Sequence, residues 1–127
     1  MFGFGEARDQ YQQSYGSDDG NKAELSHEVL AGGASFAAMK MFEDHQRKEG
    51  KPVSHQFAKE LIAGFAGAEV DKLAETKGAD YIDREKAKRQ ARDNAEQLYD
   101  QQYGGNDQFD PDQHRPNREL EDHFGQW

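Results

Sequence analysis

Five histidines, His27, His45, His55, His114 and His123, are the side chains of this 127-residue chain whose ordinary titration lies near neutrality, so any acid–base or metal chemistry starts with them. His45 and His55 flank one expected helix turn, beside Glu43, Asp44 and Glu49, and are the candidate metal ligands. Solvated polar residues at a turn explain the same pattern without a metal. Glu24-x-x-His27 has the spacing of half a di-iron carboxylate site, but that chemistry requires a second such pair and two further glutamates, and no second Glu-x-x-His exists. His27-Glu28 opens a zinc-protease pattern whose second histidine would stand at Ala31. Ser35 lies in Gly-Ala-Ser-Phe-Ala, without the second glycine of a nucleophile elbow. Asp107, Asp110 and Asp112 lack calcium-loop spacing. No complete catalytic motif emerges, and no cofactor is implied. With no cysteine, thiol chemistry and disulfides are excluded.

Arg84, Lys86, Lys88, Arg89 and Arg92 could form an anion-binding face, although Glu85, Asp93 and Glu96 stand four residues from basic partners and can pair locally. A formal charge of −9 argues against nucleic acid as a partner, since phosphate binding needs a dominant basic surface. The longest nearly apolar run, Val29 to Phe42, is too short for the ~20 residues of a bilayer span. The N-terminal residues lack the basic and apolar regions of a secretory signal, which makes the cytoplasm the expected location.

The elements that must position these residues read as all-α. Asn21 or Ser26 is suited to cap a first helix over about 21–49, ended by Gly50 and Pro52. Ser54 caps a second, over about 54–77, with apolar residues at Phe57/Ala58, Leu61/Ile62, Phe65/Ala66, Val70 and Leu73. A third runs over about 80–103, with the stripe Ala87, Ala91, Ala95 and Leu98, and ends at Gly104-Gly105. The helical domain thus covers 21–104, between a flexible aromatic and polar arm at 1–20 and an acidic flexible tail at 105–127.

Four glycines fall inside the first two helices: Gly32, Gly33, Gly64 and Gly67. Each costs about 1 kcal/mol relative to alanine, and close helix contact is the natural compensation. The short turn between the helices predicts an antiparallel hairpin in which 31–38 faces 63–70, flanked by Phe36, Phe57, Leu61, Phe65 and Leu73 as core or interaction residues. On that reading Gly64→Leu overpacks the contact and destabilises the fold. Ala31-Gly-Gly-Ala and Ala63-Gly-Phe-Ala also match weakly as an internal repeat. The first helix is apolar around much of its circumference, so its burial calls for helix three and the aromatic arms, or for a homo-oligomer, in the simplest case a dimer.

Ser26-His-Glu-Val-Leu-Ala-Gly-Gly-Ala, Phe42-Glu-Asp-His-Gln-Arg-Lys-Glu-Gly-Lys-Pro-Val-Ser-His55, Leu61-Ile-Ala-Gly-Phe-Ala-Gly-Ala-Glu-Val-Asp-Lys-Leu73 and Leu98-Tyr-Asp-Gln-Gln-Tyr-Gly104 resemble the CipC-like antibiotic-response proteins, as does the Met1-Phe-Gly-Phe-Gly opening. The resemblance implies a fungal cytosolic protein associated with antibiotic or other stress, and supplies no reaction or catalytic residue. The expected function is therefore noncatalytic, through self-association or protein interaction. The alternatives are a binder of a small hydrophobic molecule beside helix one and a metal-dependent enzyme.

Overall fold

A computed structural model describes residues 3–15, 26–76 and 83–124, and shows an all-α fold with five helices among them. They are α1 (Phe4–Tyr15), α2 (His27–Glu49), α3 (His55–Thr76), α4 (Arg84–Tyr103) and α5 (Arg118–Phe124). Local chemistry sets several ends. Ser26 accepts from the Val29 N–H at 3.2 Å, Ser54 from the Phe57 N–H at 3.1 Å and Asp83 from the Lys86 N–H at 3.2 Å. Gly50, at φ 72°, closes α2 through its N–H to Gln46 O at 2.8 Å, a backbone conformation that favours glycine. The alternative cap Asn21 and Glu24 of the half di-iron pattern lie outside the described residues.

The centre is α2, whose residues Leu30 to Met39 are all buried. α3 and α4 pack on it and on each other, and α1 covers a third side. From α3 the inner line is Ala58, Ile62, Ala66, Val70 and Leu73; from α4 it is Ala87, Ala91, Ala95, Leu98 and the two tyrosines Tyr99 and Tyr103. Alanine at alternate inward turns of α3 and at three successive inward turns of α4 lets the axes approach while Ile62, Val70, Leu73 and Leu98 fill the gaps. Two cations of α4 reach across to α3: Lys88 Nζ lies 2.9 Å and Arg84 Nη1 3.7 Å from the Asp71 carboxylate.

Both arms contain docked elements. Residues 4–15 form α1, with Phe4, Ala7 and Ser14 buried, instead of a flexible segment. Tyr11 stands 5.4 Å from Phe36 and 5.6 Å from Phe124 between ring centroids, so the arm aromatics have a packing role. Arg8 pairs with Glu119 at 2.9 Å and ties α1 to α5. In the expected tail, Phe109 and Leu120 are fully buried.

The glycine pairing is corrected. Gly32 and Gly33 are contact positions, but α1 fills the notch they leave: a Cβ on Gly33 would lie 2.8 Å from Ser14 Oγ and 3.1 Å from the Gln10 carbonyl. Gly64 and Gly67 point away from α2, and a Cβ on either meets nothing within 4 Å. The reason is the turn of α3. Its inner line begins at Ala58, not Phe57, so Phe57 stands 48% exposed and Leu61 and Phe65 sit half-buried at the margin. Phe36 and Leu73 are core, as the spacing predicts.

Candidate functional site

The densest polar chemistry lies at the end of the bundle where α2 turns into α3. α2 contributes Glu43 and Arg47, one helical turn apart on one face; α4 contributes Tyr99 and Tyr103 with the same spacing. Glu43 is fully buried, and Arg47 Nε donates to its Oε1 at 2.8 Å while the Tyr103 hydroxyl donates to Oε2. Arg47 spends its remaining donors on the C-terminal segment, Nη1 to Pro111 O at 2.8 Å and Nη2 to His114 O at 2.7 Å, with the Tyr103 oxygen 3.3 Å from Nη2. Its guanidinium also lies 5.7 Å from the Phe109 ring centroid.

Burial pushes the Glu43 carboxyl above its ordinary range, against the opposing pull of the Arg47 charge and its hydrogen bonds from Tyr103 and Arg47. Tyr103 is held well above its ordinary value first by burial and then by the Glu43 charge; burial, Asp100 and Glu43 do the same to Tyr99. Both carboxylate oxygens of Glu43 are engaged and the residue has no exposed surface, so this network holds segments together and offers a substrate no approach.

His55, the first residue of α3, joins the same cluster. Its Nε2 lies 2.6 Å from the Asn106 carbonyl, which can only accept, so Nε2 carries the proton and, in the neutral ring, Nδ1 accepts from the Tyr99 hydroxyl at 2.6 Å. Neither nitrogen is left for a metal. His45 is exposed on α2, its Nδ1 2.8 Å from Gln46 Oε1. The structure therefore does not join the two as ligands, and no group of three or more metal-ligating side chains occurs among the described residues. His114 Nδ1 accepts the Asp110 N–H at 3.1 Å, His27 Nε2 accepts the Asp83 N–H at 3.1 Å, and His123 packs on Tyr11 and Phe36. Each of the five holds a neighbouring element or side chain. Ser35 is buried and back-bonded to Gly32 O at 2.7 Å.

Sequence reasoning named Glu43 only as a neighbour of the candidate metal ligands and missed its pairing with Arg47 and Tyr103. A signal was there: a glutamate at the edge of the longest apolar run, with an arginine four residues on, is the spacing of a helix-face pair. What hid it was the partner, since Tyr103 and the carbonyls at 111 and 114 come from residues 56 or more positions downstream of Arg47.

Fold and network together define an α-helical protein whose most elaborate polar site is a fully satisfied clamp. The model of the Virulence factor CipC-like family matches residues 10–102, and the chain belongs to that family. No curated protein and no solved structure matches it. No helix among the described residues is long and apolar enough to cross a membrane.

Proposed function

We propose that this chain is a noncatalytic, cytosolic stress- or antibiotic-response protein that acts through contact with a second copy of itself, made by the outer face of α3. The observation that carries the reading is the exposed line Phe57, Gly64 and Ala68, with Leu61 half-buried beside it. These positions recur at helical spacing, and the open space above Gly64 lets another backbone come close. The stress role rests on membership of the CipC-like family.

The face is small. The line from Phe57 to Ala68 spans 12 residues of α3 and is therefore about 18 Å long, so a strip about 10 Å wide buries roughly 360 Å² over two copies. That is well below the ~1,200 Å² of a stable complex, and the association is weak and concentration-dependent. The small-ligand alternative has lost its motive, because α1 covers the apolar side of α2 where such a ligand would sit.

Sedimentation velocity across a concentration series tests the reading. The weight-average mass of the wild type should climb with concentration, while Phe57→Asp remains monomeric with unchanged thermal stability. A wild type that stays monomeric up to its solubility limit overturns it. Induction of the protein by antibiotic exposure tests the stress role separately.

A further inference from the structure

The C-terminal segment is held against the bundle in the manner of a bound peptide. It leaves α4 through Gly104–Gln108, five exposed residues held at the Asn106 carbonyl by His55, and is gripped closely from Phe109 onward. Val53 and Phe109 exchange both backbone bonds, at 2.9 and 3.0 Å, a single step of strand addition. The Phe109 ring enters an aromatic slot, its centroid 4.8 Å from those of both Phe42 and Tyr103. Arg47 then takes the carbonyls of Pro111 and His114. Two of these three grips read main chain alone, and the third reads one aromatic ring. Phe42, Arg47 and Val53 lie within residues 10–102 matched by the family and Tyr103 stands one residue past them, whereas the segment that fills the groove lies wholly beyond them.

We propose that this groove is a peptide-recognition site which the chain's own strap occupies in cis, and that the partner it fits is an extended segment of another protein with an aromatic residue two positions before a proline. A second copy is the poorer occupant, because exchanging identical straps adds no contact and costs association entropy. A foreign segment can add contacts of its own at the positions of Asp112 and Gln113, which face solvent. The short exposed hinge keeps the strap at an effective concentration on the order of millimolar, so the closed chain rejects weak ligands. The groove shares no residue with the outer face of α3, so it stands or falls independently of the self-association proposed above.

The test uses the full chain carrying Phe109→Ala, which empties the slot, and a labelled peptide with the sequence of residues 105–117. Fluorescence anisotropy should show binding to Phe109→Ala, at least about tenfold weaker binding to the wild type, whose strap competes, and none of a peptide with alanine in place of the phenylalanine. Absence of binding to a Phe109→Ala chain that keeps its helical circular dichroism overturns the proposal, as does equal binding of the two peptides. If that variant does not hold its fold, hydrogen exchange on the wild type decides: excess peptide should displace the strap and speed exchange of the Phe109 amide several-fold while the Val53 amide, whose acceptor the peptide replaces, stays protected, and unchanged Phe109 exchange overturns it. A wild-type dimer abolished by Phe109→Ala would make a second copy the occupant and overturn the foreign partner.

Discussion

Alanine at the four helix glycines should act in opposite directions according to what each faces. Gly→Ala within a helix gains about 1 kcal/mol of backbone propensity. At Gly64 and Gly67 nothing lies within 4 Å of the new methyl, so the gain should be realised in full. For a chain of this length that raises the melting temperature by roughly 3–5 °C per substitution. At Gly33 the methyl would stand 2.8 Å from Ser14 Oγ, 3.0 Å from Ser14 Cβ and 3.1 Å from the Gln10 carbonyl. Ser14 is buried and bonded to Val29 O, and the carbonyl is backbone of α1, so neither yields without moving the helix. Overpacking of this kind costs about 1–3 kcal/mol, which cancels or outweighs the propensity gain and leaves a net loss of about 0–2 kcal/mol. Gly32 falls between: its methyl meets the end of the Gln10 side chain, whose Oε1 is buried without a partner and can swing away. A near-neutral result is expected there. Thermal unfolding followed by circular dichroism ranks the variants. If Gly64→Ala destabilises, or Gly33→Ala stabilises as much as Gly64→Ala does, the assignment of the notch to α1 is wrong.

Arg47→Met should cost about 3–5 kcal/mol in urea unfolding, because it strands a buried Glu43 charge, and adding Glu43→Met should recover part of the loss. The single variant should also be penalised less in acid: Glu43 is already raised in the folded chain and would rise further without Arg47, so its contribution is present at low pH and disappears as pH climbs through the folded value. A deficit that stays constant or widens on acidification contradicts this. In alkali, Tyr99 and Tyr103, both raised above the ordinary tyrosine value of about 10, should each withdraw about 1.4 kcal/mol of stability per pH unit above that value. Tyrosinate absorbance should then appear together with loss of helix, and titration within an intact fold would refute their burial. Ser26→Ala, at an exposed cap, should cost about 1 kcal/mol in the same unfolding assays.

The parts of the fold legible in the sequence are those fixed by neighbours along the chain. Ser26, Gly50 and Ser54 act through residues three or four positions away, and the alanine stripe of α4 needs only its own period to be seen. Rotation about a helix axis was less legible. Phe57/Ala58, Leu61/Ile62 and Phe65/Ala66 offer two adjacent apolar lines, and propensity cannot say that the smaller, inner one faces α2. The two arms were illegible for another reason: their composition is polar, and what anchors them is a few side chains, Phe4, Tyr11, Phe109 and Leu120, placed among many solvated ones. Clamp residues depend on contacts with the distant C-terminal segment, which no local pattern encodes.

That α1 covers α2 changes what the apolar excess of the central helix means. An enclosed helix from a three-helix body would need a second chain, but here the notch at Gly32-Gly33 admits the α1 backbone, and Tyr11 with Phe124 covers the ring of Phe36. The burial of α2 is therefore satisfied within one chain. Any self-association must draw on what stays outside, and on α3 that is Phe57, Gly64 and Ala68 with the margin of Leu61. A surface so narrow supports a reversible encounter rather than an obligate dimer. It follows that the monomer should unfold cooperatively at concentrations where no dimer forms; a melting temperature that tracks concentration as steeply as that of an obligate dimer would mean that α1 does not close α2 in solution.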